Sequence, residues 1–124
     1  MQRLRILLVD DQRIAVNPIG KLLRHRGYHV LTVYGPHQAL EVVRICGPVD
    51  ILLSDVDMPG MSGIDLVGEF RRSSPRTACM LMTGGAVDRS TLPPELRVFP
   101  KPFPIRALYA AIEMIGAQLP RSRT

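Results

Sequence analysis

Short, nearly unbroken apolar runs recur along this chain, and several stop abruptly at a polar residue. Leu4-Arg5-Ile6-Leu7-Leu8-Val9 ends at Asp10-Asp11, and Val49-Asp50-Ile51-Leu52-Leu53-Ser54 ends at Asp55. Ala78-Cys79-Met80-Leu81-Met82 ends at Thr83. His29-Val30-Leu31-Thr32-Val33 follows Gly27, and the weaker run Leu96-Arg97-Val98-Phe99 leads to Lys101. A strand with one wet face alternates apolar and polar residues, whereas a strand covered on both faces reads as a continuous apolar run. The pattern therefore predicts a parallel sheet with helices on both sides.

Helical stretches fill the gaps. The first ends at Arg26, with Gly27 as its stop. Its start has two readings. Asn17-Pro18 has the form of an N-cap followed by a first-turn proline. Alternatively the helix begins near Arg13 and Pro18 distorts it. Either way, regular helical bonding through Pro18 is not expected. Further helices are predicted over roughly His37 to Ile45, Ser62 to Arg72 and Pro104 to Leu119. Residues 86–95 contain Pro93-Pro94 and leave room for about two helical turns at most. The expected fold is α/β, doubly wound, with a shortened fourth helix.

The 124 residues suit one domain, taken as 1–119 with a short basic tail at 120–124. At 46% hydrophobic and 22% charged the chain is too apolar to be disordered. No run approaches the roughly 18 apolar residues of a membrane span, and the N-terminus lacks the pattern of a secretory signal. A cytoplasmic protein with no membrane partner is expected. Cys46 and Cys79 lack metal-ligand spacing and are expected as reduced core thiols. The formal charge is +5, but no aromatic residues interleave with the arginines, so nucleic acid is not an expected partner.

In an open parallel sheet, ligands bind at the carboxyl ends of the strands. The residues predicted there are Asp10, Asp11, Asp55, Thr83 and Lys101. A lone aspartate after a strand is usually a turn residue. That reading does not account for all five together. Three neighbouring carboxylates repel one another. A hard divalent ion such as Mg²⁺ relieves the repulsion through oxygen ligands. Asp55 beside such an ion and the Lys101 ammonium suits phosphoryl transfer to a carboxylate nucleophile, with Thr83 bonding a phosphoryl oxygen. Because Lys101 follows a strand end, its loss is expected to cost little stability. Asp55-Val56-Asp57-Met58-Pro59-Gly60-Met61-Ser62-Gly63 presents the acceptor from a tight turn that leads into a helix Ser62 could cap.

With these residues the chain resembles the response-regulator receiver domain of two-component signalling. The likeness runs from Leu4 to about Leu119 and rests on Leu8-Val9-Asp10-Asp11, Asp55 to Gly63, Thr83-Gly84 and Lys101-Pro102-Phe103. It implies a flavodoxin-like five-stranded parallel sheet in the order 2-1-3-4-5. It implies Asp55 as phosphoacceptor, with Mg²⁺ held by Asp11, Asp10, Asp55 and the backbone carbonyl of Asp57. Thr83 would be the switch hydroxyl and Lys101 the phosphoryl partner, and the Lys101-Pro102 bond would be cis. The implied partners are a histidine kinase or phosphotransfer protein and an unknown downstream protein. The implied protein is not an enzyme beyond slow loss of its own phosphoryl group. The likeness fits either a single-domain regulator or the receiver of a hybrid kinase; if the chain is complete, the absence of an output domain after Leu119 favours signalling by protein contact.

Three features depart from the family. Val98 stands where receivers usually carry Tyr or Phe, the segment from Thr83 to Lys101 is about one helical turn short, and the charge balance is basic. The first two bear on how the signal leaves the site. Two rival readings exist. Asp55-Val56-Asp57 resembles the DxD nucleophile loop of haloacid-dehalogenase-like phosphatases, but the extra acidic pair lies upstream and the chain is short. A pseudo-receiver that acts only as a docking module would not need all five site residues.

Overall fold

A computed structural model describes residues 3–119. Strands β1 (Arg5–Val9), β2 (His29–Val33), β3 (Ile51–Asp55), β4 (Ala78–Thr83) and β5 (Arg97–Pro100) form one parallel sheet, ordered β2-β1-β3-β4-β5. Helices α1 (Arg13–His25), α2 (Pro36–Cys46), α3 (Gly63–Ser73) and α4 (Ile105–Gln118) cover it. This is the predicted doubly wound, flavodoxin-like architecture.

The sheet separates two cores because successive side chains on a strand point to opposite faces. Ile6, Leu8, Ile51, Leu53, Met80 and Met82 pack with α1 and α4. Leu7, Val9, Leu52 and Leu81 pack with α2 and α3. The central strands are buried on both faces, hence their unbroken apolar runs.

Between β4 and β5 the fourth helix is reduced to a single 3₁₀ turn, Arg89–Thr91. Asp88 caps it by accepting from the Ser90 N–H. Pro93 and Pro94 follow, and a turn in which the Leu96 N–H donates to the Pro93 carbonyl at 3.1 Å leads into β5.

The first helix departs from the capped-start reading. It begins at Arg13 and runs through Pro18 without a break. Asn17 does not cap; its Oδ1 accepts from the Tyr34 hydroxyl at 2.8 Å. Burial explains the outcome. Val16 precedes the proline and is fully buried, so an early start adds a core side chain. The proline deprives only the Ile14 carbonyl of its helical donor, at a residue open to water. The thiols also differ from expectation: Cys46, at the end of α2, is exposed, while Cys79 is half-buried. Burial pushes the Cys79 thiol up to about 11, with Arg71 opposing. Both are free, and the tail 120–124 lies outside the described residues.

Candidate functional site

The parallel sheet brings its strand ends to one rim, and each site residue stands at such an end. Asp10 and Asp11 follow β1, Asp55 closes β3, Thr83 closes β4 and Lys101 follows β5. Backbone bonds tie these ends together. The Asp10 N–H donates to the Val33 carbonyl at 3.2 Å, and the Lys101 N–H to the Thr83 carbonyl at 2.7 Å. The Val56 N–H donates to the Met82 carbonyl at 2.9 Å. The Lys101-Pro102 peptide is cis.

Lys101 is the hub. Its Nζ lies 3.0 Å from Asp10 Oδ2 and 2.9 Å from Asp55 Oδ1. Both carboxylates are buried. Asp11 is exposed, yet one oxygen from each of Asp10, Asp11 and Asp55 lies within 4.8 Å of the others. The Asp57 carboxylate is exposed and stands outside this cluster.

The charges act on one another. Burial raises the Asp55 carboxyl above the ordinary range; the Lys101 hydrogen bond opposes this, and the Asp10 and Asp57 charges add to it. Burial works to lower the Lys101 ammonium, but hydrogen bonds to Asp55 and Asp10 outweigh it, and the amine ends above its ordinary value. One ammonium thus faces three carboxylates, and the rim keeps an excess of negative charge. All-oxygen donors, one of them open to solvent, are what a hard divalent cation requires, so the donor set fits Mg²⁺.

Two structural devices hold the end of β3. Ser54 Oγ donates to the Asp55 carbonyl at 2.9 Å, and the Gly63 N–H donates to the Val56 carbonyl at 2.8 Å. Ser62 caps α3 by accepting from the Asp65 N–H. A Cβ on Gly63 would fall 2.1 Å from the Asp55 carbonyl oxygen, so only glycine lets the start of α3 press against β3. Thr83 Oγ1 accepts from the Gly85 N–H at 3.0 Å and donates to the Gly85 carbonyl at 3.2 Å. The hydroxyl is thereby held by its own loop.

Sequence reasoning named all five rim residues. It missed the ion pair between Lys101 and Asp10 and the steric demand on Gly63. Gly63 carried a signal, since it stands at the predicted helix start where a side chain would normally be tolerated. The ion pair carried none, because it joins residues 91 apart.

Residues 6–113 match the response regulator receiver domain family. The chain belongs to that family. It is a receiver domain of two-component signalling. Among curated relatives, the transcriptional regulatory protein CpxR of Klebsiella pneumoniae is 38% identical over 114 residues, which are 90% of this chain and 48% of CpxR. The sensor kinase CckA of Brucella abortus is 34% identical over 119 residues, 91% of this chain and 13% of that protein. The receiver thus spans about half the length of one relative and a small part of the other. Among solved structures, response regulator TrrA of Thermotoga maritima, in complex with Mg(2+)-BeF, superposes with a TM-score of 0.79 at 27% identity. The likeness covers 90% of this chain and 98% of TrrA.

The receiver's departures are visible at the rim. Val98 is half-buried on the α3 side, among partly buried residues that include Val87 and Leu92. Phe99, the nearest aromatic, points to the other core, with its ring 5.2 Å from Phe103. It cannot substitute for a ring at position 98, because neighbours on a strand face opposite ways. No helix among the described residues is long and apolar enough to cross a membrane.

Proposed function

We propose that this receiver takes up a phosphoryl group on Asp55 in the presence of Mg²⁺, from a histidine kinase or phosphotransfer protein in the cytoplasm. One observation carries the reading: a buried carboxylate at the end of β3 shares an ammonium with Asp10 and clusters with Asp11. TrrA's complex with Mg(2+)-BeF supports the choice of metal.

Asp10, Asp11 and Asp55, with the Asp57 backbone carbonyl, would hold the ion. When bound, Mg²⁺ supplies positive charge that screens the carboxylates and the incoming phosphoryl oxygens. The chain's own groups do the rest. The Asp55 carboxylate attacks phosphorus, and the bond from phosphorus to the donor's leaving atom breaks with its electron pair remaining on the donor. Lys101, already 2.9 Å from the nucleophile, turns its charge to the arriving oxygens. Thr83 exchanges its Gly85 contacts for a phosphoryl oxygen, which couples the site to the loop that follows β4. The altered surface then binds a downstream protein.

Acetyl phosphate, a small donor, tests the reading. Mass spectrometry should find one added phosphoryl group on the wild type, dependent on Mg²⁺, and none on Asp55→Asn. Equal labelling of both proteins would sink the assignment.

A further inference from the structure

A polar groove of about 680 Å³ lies between α1 and the edge strand β2, lined by Asn17, Pro18, Lys21, Arg24, Thr32 and Tyr34. Its volume falls in the usual range for small-molecule sites, about 300–1,000 Å³. Neither α1 nor β2 contains a carboxylate. Among the described residues, Arg13, Lys21 and Arg24 enter no ion pair, whereas the arginines at 26, 44, 71 and 72 each have a glutamate partner. Unmatched positive charge is therefore gathered along this one groove.

Packing fixes the groove's polar groups in place. Arg24 donates from Nε to the Val30 carbonyl and from Nη2 to Thr32 Oγ1, each at 3.2 Å. Those bonds use two of the five guanidinium N–H groups and leave three. Gly20 makes room for this arrangement. A Cβ there would lie 3.0 Å from Thr32 Oγ1 and 3.3 Å from Arg24 Nη1. Glycine inside a helix costs chain entropy, and here it lets α1 lie close to β2 with the guanidinium against Thr32. Towards the other end of the groove, the Tyr34 hydroxyl donates to Asn17 Oδ1 at 2.8 Å and the Tyr34 N–H donates to Gln38 Oε1 at 3.0 Å. The Arg13 guanidinium stacks on the Tyr34 ring, 3.9 Å from its centroid. The Lys21 ammonium is exposed and, among the described residues, has no bonded partner.

We infer that this groove binds a nucleoside di- or triphosphate, a ligand separate from the phosphoryl donor and independent of Asp55. Linked phosphates suit the Lys21 ammonium and the three remaining Arg24 donors, because a guanidinium offers phosphate oxygens paired N–H groups. The planar Arg13 guanidinium, already held on Tyr34, is a stacking surface for a base. The Asn17 amide, oriented by the Tyr34 hydroxyl, can donate to a ring or ribose oxygen. Arg13 and Lys21 are eight residues apart, about 12 Å along the helix. That span exceeds one inorganic phosphate and suits a nucleotide.

Isothermal titration of the purified protein in EDTA tests this, because the chelator leaves the phosphates bare and keeps metal from the rim. ATP, ADP and GTP should each bind one site per chain, with AMP and inorganic tripolyphosphate at least about tenfold weaker. Lys21→Glu should weaken ATP binding at least about tenfold, the usual effect of losing a charged hydrogen bond, and Lys21→Arg should preserve it. Gly20→Ala changes no charge but crowds Arg24, and it should weaken ATP binding as well. Arg76→Glu makes the same charge change at an exposed position between α3 and β4 and should leave the affinity nearly unchanged. Tripolyphosphate bound as tightly as ATP, or equal losses in Lys21→Glu and Arg76→Glu, would reduce the site to general attraction for anions and overturn the inference. Undetectable ATP binding would overturn it too, as would tighter binding of a short single-stranded RNA that displaces ATP. Labelling of Asp55 by acetyl phosphate is a separate readout, and Lys21→Glu should leave it intact.

Discussion

Asp55 and Asp10 compete for a single ammonium, and this sets what substitutions at the rim should do. Asp55 is held above the ordinary carboxyl range by burial first, with the Asp10 and Asp57 charges adding and Lys101 opposing. Its ionised form is thus a net cost in metal-free protein. Asp55→Asn keeps the shape and removes the charge, so it should melt higher than wild type in EDTA. A lower melting temperature would mean that the Lys101 ion pair outweighs the burial cost. Lys101 itself looked dispensable for stability when read only as a strand-end residue. The two ion pairs change that expectation, because removing the ammonium leaves two buried carboxylates facing each other. Lys101→Ala should cost about 1–3 kcal/mol in EDTA, by the usual cost of stranding a buried partner, and saturating Mg²⁺ should restore much of it. Denaturant melts with and without metal would check both arms. The five rim residues were legible because strand-end positions follow from local patterns. The sharing of Lys101 between two carboxylates was not legible, since it depends on how β1, β3 and β5 are spaced across the sheet.

At the scale of elements, the segment between β4 and β5 and the start of α3 carry the consequences. Proline chemistry predicted correctly that residues 86–95 could hold little helix, and a lone 3₁₀ turn stands there. The same chemistry applied to Pro18 misled, because it counts one lost hydrogen bond and not the burial of Val16. Few apolar side chains anchor the segment: Val87 and Leu92 are only partly buried. It is tied down by Arg89, which donates to the Leu96 carbonyl, and by the Thr83–Gly85 pair. Thin burial gives low local stability. With Val98 in place of a ring, the Thr83 hydroxyl and its loop would carry the signal from the proposed phosphoacceptor Asp55. Backbone amides of 84–95 should therefore exchange fast in the resting protein and slow on adding Mg²⁺ and a phosphoryl mimic. Protection already strong at rest, or unchanged by the mimic, would refute this. Gly63→Ala should be severe for its size. The new methyl meets the Asp55 carbonyl oxygen, which is backbone and cannot rotate aside. A loss of about 1–3 kcal/mol is expected for such overpacking, together with slower labelling of Asp55. The same change at Gly84, where a Cβ meets nothing within 4 Å, is the control.

For the whole molecule, the charges at the rim make stability depend on pH, and a bound cation would change that dependence. Asp55 has a raised carboxyl in the folded metal-free protein, so the native state binds that proton more tightly than the unfolded chain. Its favourable contribution is present at low pH and fades as pH rises from the ordinary carboxyl range, near 3.8, through the raised value. Lys101 works at the other end. Its amine is raised, so its contribution is complete below the ordinary lysine value of 10.5 and is lost as pH climbs through the folded value. Mg²⁺ must reverse the first effect. A cation among Asp10, Asp11 and Asp55 favours the ionised carboxylates, and it should release a proton wherever Asp55 is still protonated. Binding to the folded state alone should add about 2.7 kcal/mol at a hundredfold excess over Kd. Two measurements bear on this together. Melting temperature should rise with Mg²⁺ in wild type, and much less in Asp11→Asn, whose carboxylate is the exposed member of the cluster. Labelling of Asp55 by acetyl phosphate should increase with pH through an acidic midpoint, because only the carboxylate is nucleophilic, and more Mg²⁺ should move that midpoint lower. A midpoint that stays fixed across a hundredfold range of Mg²⁺ would mean that the ion and the Asp55 proton do not share this site.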